Sequence, residues 1–79
     1  MFKWKDYNEN SALFIDGISE SVALLRHKDF RLTDFATNHK AVMKSSCLEE
    51  AKVDAENYLK LFWKQAQKGI NKNLRALGD

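Results

Sequence analysis

Seventy-nine residues make one domain, and a single cysteine excludes an internal disulfide and a cysteine-based zinc site. Thirteen basic against eleven acidic residues leave a net charge of +2, too even for a general polyanion binder and far from the acidity of a DNA mimic. No stretch approaches the roughly 18 apolar residues of a membrane span, and the opening Met-Phe-Lys-Trp-Lys-Asp has no apolar run to serve as an export signal. The expectation is therefore a protein of a reducing cytoplasm with no membrane partner.

Residues 1–45 read as a sheet and residues 46–79 as a helix with a C-terminal extension, within one domain. Phe2 and Trp4 alternate with Lys3 and Lys5, which suits an edge strand or an arm across the core. Ser11–Asp16 reads as a strand ending at Gly17, and Gly17 as a bulge or a hairpin turn. Ile18–His27 reads as a second strand, Lys28-Asp29 as a turn, and Phe30–Thr37 as a third strand. Asn38-His39 tolerates a tight turn, and Lys40–Lys44 then supplies a fourth short strand. The fold class is α+β: an antiparallel sheet of three or four strands packed against one long C-terminal helix, with a break near Gly69 as the variant form.

The helix opens on Ser46-Cys47-Leu48-Glu49, a capping box with Ser46 as N-cap and Glu49 three residues on. At about 100° per residue, Leu48, Ala51, Ala55, Leu59, Phe62, Ala66 and Ile70 share one face, flanked by Tyr58 and Trp63. The alanines let the helix lie close to a sheet. Glu56 precedes Lys60 by four residues, the favourable order for an ion pair. Gly69 is a natural C-cap, and Ile70, Leu74 and Leu77 keep the phase in a continuation or a second short helix.

The Gly17-Ile18 pair, the hairpin after it and the Ser46–Glu56 segment, Ser-x-Leu-Glu-Glu-Ala-Lys-x-x-Ala-Glu, together resemble small orphan proteins of bacteriophages and prophages. Such proteins pair an antiparallel sheet with one C-terminal helix. The likeness covers roughly residues 12 to 60, and Phe30 stands where those proteins often have Trp. The resemblance implies a mobile-element origin. It also implies a broad set whose members block host enzymes or defence systems by binding them, anti-CRISPR inhibitors among them.

On the helix, Lys60, Lys64, Lys68 and Lys72 recur every four residues and with Arg75 span about 120° opposite the apolar stripe. They could follow several phosphates or form a solvated helix face. Leu61 sits among them, and Lys60 and Lys64 could rim it as an apolar contact. These six residues are the candidate binding site. Cys47 at the helix start invites comparison with an activated thiol, but no local motif joins it to His27 or His39. The two histidines lack metal-ligand spacing and read as turn residues. Glu49 and Glu50 read as cap and dipole residues.

No catalytic residue, metal site or cofactor is expected. The leading functional expectation is a non-enzymatic binding protein that occupies a surface of a host protein or protein–nucleic acid complex. The alternative is a nucleic-acid accessory protein using the basic helix face, and a homodimer is a third reading.

Overall fold

The computed structural model describes residues 1–66 and 71–78. Five strands form one antiparallel meander, in order β1 (Phe2–Asp6), β2 (Asn10–Ile15), β3 (Ala23–Arg26), β4 (Arg31–Asp34) and β5 (Lys40–Val42). Helix α1 (Leu48–Ala66) and a short α2 (Asn71–Ala76) follow. The sheet has one strand more than the three or four expected. The N-terminal residues make a full edge strand, with Phe2 opposite Ile15 and Asp6 opposite Ser11.

Strands β3 and β4 are shorter than their apolar runs. The chain leaves β2 through Gly17 at φ 89°, a left-handed turn position that suits glycine. The Ser21 hydroxyl bonds the Leu13 and Ala23 carbonyls, so residues 18–22 run as a loop and pairing begins at Ala23. Strand β4 stops at Asp34 because that carboxylate turns the chain: it accepts from the backbone N–H (3.1 Å) and hydroxyl (2.6 Å) of Thr37. The β3–β4 turn puts Phe30 at φ 55°. This is a costly conformation for an aromatic residue, and it is held by Phe30 packing on the core.

Alternation sorts each strand between two faces. Facing α1 are Phe2, Trp4, Leu13, Ile15, Ala23, Leu25, Leu32 and Ala41. Ala51, Ala55, Leu59 and Trp63 of the helix are fully buried against them, with Leu48, Tyr58 and Phe62 half-buried alongside. The i, i+4 row that ends in Trp63 is thus the centre of the contact, and Trp63 belongs in the stripe it was expected only to flank. Ala66 is the last residue of α1. Ile70 and Gly69 lie outside the described residues. Gly78, at φ 85°, follows α2 in the left-handed position common after helices.

The helix start differs from the expected capping box by one residue. Cys47 supplies the carbonyl that accepts from Ala51 N–H, so it occupies the N-cap position. Ser46 pairs with Glu50: its backbone N–H and hydroxyl both donate to that carboxylate. Ser45 donates to Asp54 at 2.6 Å.

Three polar ties join α1 to the sheet. Trp63 Nε1 donates to the buried Asp34 at 3.0 Å. Trp4 Nε1 donates to Glu56 at 2.7 Å, so Glu56 serves the sheet and Lys60 lies over the Phe2 ring, 5.8 Å from its centroid. Lys52, almost fully buried, places its ammonium 2.8 Å from Asp6.

Two stability predictions follow from this packing. Trp63→Phe removes a charge-assisted bond to a buried carboxylate and should cost at least about 1.5–3 kcal/mol in denaturant unfolding. In the double variant with Asp34→Ala, the loss should be smaller than the sum of the two single losses; additive losses would show that the two side chains do not depend on each other. Ala55→Leu should overpack the helix–sheet contact by about 1–3 kcal/mol, and a parent-like unfolding curve would contradict the zero exposure of Ala55.

Candidate functional site

Four of the six residues of the expected binding row have described side chains. Lys60, Leu61, Lys64 and Arg75 are exposed, Leu61 at 59%. Lys68 lies outside the described residues, as does the side chain of Lys72. Val53, two turns before Leu61, is 56% exposed, so the outer face of α1 carries apolar as well as basic groups.

A second surface lies on the far side of the sheet, away from α1, where no described element covers it. One ladder of paired residues crosses all five strands: Lys5, Ala12, Leu24, Thr33 and Lys40. Beside it Lys3 opposes Phe14, Asn10 opposes Arg26, and Arg31 opposes Val42. Cross-strand partners share a face, so Lys3, Lys5, Arg26, Arg31 and Lys40 lie together with Ala12, Phe14, Leu24, Thr33 and Val42 between and beside them. No strand residue of this face is acidic. Two nearby carboxylates are engaged at its margins: Asp16 with Lys3 at 3.1 Å, and Asp29 with Arg26 in a two-bond fork. The Arg26 guanidinium holds the Asp29 carboxyl well below the usual carboxylate range, and Asp29 in turn raises the Arg26 pKa. Lys5 sets its ammonium 5.5 Å from the centre of the Tyr7 ring, which is 51% exposed.

Sequence reasoning missed this face because its cations are scattered over four strands. Their signal is the period-2 alternation of Lys3 and Lys5 against Phe2 and Trp4, and of Arg26 and Arg31 against Leu25 and Leu32.

The polar cluster at one end of the core has the residue types of a nucleophilic triad, wired differently. Ser11, fully buried, donates its one proton to Asp6 at 2.6 Å. A carboxylate can only accept, so His27 Nε2, 2.8 Å from the same hydroxyl, must be the donor. A histidine that donates to serine cannot take the serine proton in this state, so the cluster ties β1, β2 and the β3–β4 turn to Lys52. His39 bonds Tyr58 and stacks on Phe62, with ring centres 4.4 Å apart. Both histidines thus have structural partners beyond their turns, and Cys47 is exposed.

A shallow cleft is lined by Ile18, Glu20, Ser21, Val22, Phe35, Ala36 and Asn73. The Asn73 Oδ1 atom nearby is buried with no hydrogen-bond partner among the described residues. No group of three or more metal-ligating side chains occurs among the described residues. No described helix is long and apolar enough to cross a membrane.

Lys52 and then Ser11 hold the Asp6 carboxyl below its ordinary value of 3.8. A carboxyl more acidic folded than unfolded stabilises fully above about pH 4, and this contribution is lost as the pH falls through the depressed value. The stability gap between parent and Lys52→Met should therefore be largest above about pH 4 and should narrow toward about pH 2. A gap that stays constant across that range in pH-dependent urea unfolding would exclude the pair as its source.

Comparison of the chain with protein-family models, with curated proteins and with solved structures gives no match.

Proposed function

We propose that this chain is a non-enzymatic binding protein that acts by laying an exposed face against a partner protein or protein–nucleic acid complex. The observation that carries this reading is the sheet face opposite α1: five cations around a half-buried apolar centre, of which Lys3 and Arg26 are paired with Asp16 and Asp29 at the margins, so that positive charge remains in excess. Such a face presents a net positive surface, and positive surfaces speed encounter with anionic partners. The setting of a host complex, a defence complex such as a CRISPR effector included, rests on the resemblance carried by Ser46–Glu56.

A second reading places the contact on the outer face of α1, as first expected. It is favoured by Leu61, more than half exposed between exposed Lys60 and Lys64. An apolar side chain rimmed by charges is a common anchor at interfaces. Lys68, Lys72 and Arg75 extend this reading along the chain.

The two faces are separated by paired charge reversals. Lys5→Glu with Lys40→Glu alters the sheet face, and Lys60→Glu with Lys64→Glu alters the helix face. All four positions are exposed, and Lys5 and Lys60 each give up only a surface contact with an aromatic ring, so each double change should stay within about 1 kcal/mol of parent stability. In affinity capture from bacterial lysate, a stoichiometric partner should be retained by the helix variant and lost by the sheet variant. The opposite pattern would move the contact to α1, and retention by both folded variants would exclude both faces.

A further inference from the structure

Resting on the sheet face as the docking surface, we infer that its occupant is a single strand of nucleic acid. The arrangement separates charge from apolar surface in the way such a strand requires. Lys3 and Lys5 on β1 and Lys40 on β5 stand at the two sides, Arg26 and Arg31 lie at one end, and the half-buried Phe14, Leu24 and Thr33 occupy the middle around the buried Ala12. Phosphates would meet the cations while bases lie on the apolar centre, the combination that binds unpaired strands without groove readout. Two rings are each set beside a lysine: Phe14 opposite Lys3, and the half-exposed Tyr7 under Lys5. They are separated along β1 and β2 by about four residues, roughly 13 Å, so they would serve different nucleotides.

Other occupants fit less well. Five strands at about 4.8 Å spacing make a face about 19 Å across, too wide to enter a duplex major groove of about 12 Å. A second copy of this chain would set cations against cations. An acidic protein would meet the charge, but three of the five cations are lysines, a residue depleted from protein–protein contacts and common at phosphates.

The test is fluorescence anisotropy with a labelled 12-mer of oligouridylate, the same length of oligothymidylate, a 12-bp duplex, and polyglutamate as competitor. Three to five phosphate contacts predict a single-strand affinity that falls about four- to elevenfold when salt is doubled, from a slope of about −0.7 per contact. Lys5→Glu with Lys40→Glu should lower that affinity at least about tenfold. Tyr7→Leu, which changes an exposed ring and no charge, should lower it at least about fivefold by removing a stacking platform. The inference is overturned if the single strands fail to bind, if the duplex binds as well as they do, if polyglutamate competes as strongly as unlabelled strand, or if the folded Tyr7→Leu and sheet variants bind like the parent. If the sheet variant loses its captured protein partner while the parent binds no oligonucleotide, the docking face stands and its occupant is an acidic protein. If that variant also keeps its protein partner, the docking face itself falls.

Discussion

The buried Asp34 carboxylate is the constraint on which the rest of this structure depends. It sits on β4, facing the helix, with essentially no solvent contact. A carboxylate there is tolerable only if its oxygens are occupied, and they are, by the Trp63 indole and by Thr37. The Trp63 bond sets the rotation and axial position of α1 on the sheet. The Thr37 bonds end β4 and shape the turn that delivers β5. One side chain therefore positions the helix and terminates a strand. An apolar residue at position 34 would bury as well but would specify neither.

With α1 held in that register, the remaining ties fall where the sequence can supply them. Lys52 reaches Asp6, Glu56 reaches Trp4, and Tyr58 and Phe62 meet His39. Acidic and basic residues that look like surface charges on a helical wheel are thereby drawn into the helix–sheet seam. The seam is sealed on one side of the sheet only. On the other side only Lys3 and Arg26 are matched by acids, Asp16 and Asp29 at the margins, so positive charge is in excess there, and the functional reading rests on that asymmetry.

A net charge of +2 conceals this asymmetry, because charge counted along a chain carries no information about faces. Of the cations, those on the strands gather on the open side because the pleat alternates. The acids of the strands, Asp6 and Asp34, point the other way, into contact with Lys52 and Trp63. An almost balanced composition thus produces a one-signed surface. Whether a near-neutral domain can favour an anionic partner is decided by the pleat and the helix position, since the field at a surface depends on where charges sit rather than on their sum.

Local pattern determined a good deal on its own. The change from short β-rich runs to helical period near residue 45 marks the α+β division, and Ala51, Ala55 and Leu59 announce the buried helix face, because a 3.6-residue period puts them on one side. Strand β2 is legible from Ser11 to Ile15 for the same kind of reason, and Lys40–Val42 falls inside its expected strand. Tertiary structure alone decided the rest. Phe2–Asp6 becomes a strand because β2 offers an edge, and pairing is a property of two segments. Residues 18–22 leave the sheet because Gly17 and Ser21 commit the backbone to a turn, overriding their β-branched composition. The N-cap moves to Cys47 because Glu50, one residue beyond the expected partner, captures Ser46. The cationic face was invisible for the deepest reason: its five members are spread over four strands, and only strand register brings Lys5 and Lys40 into one row.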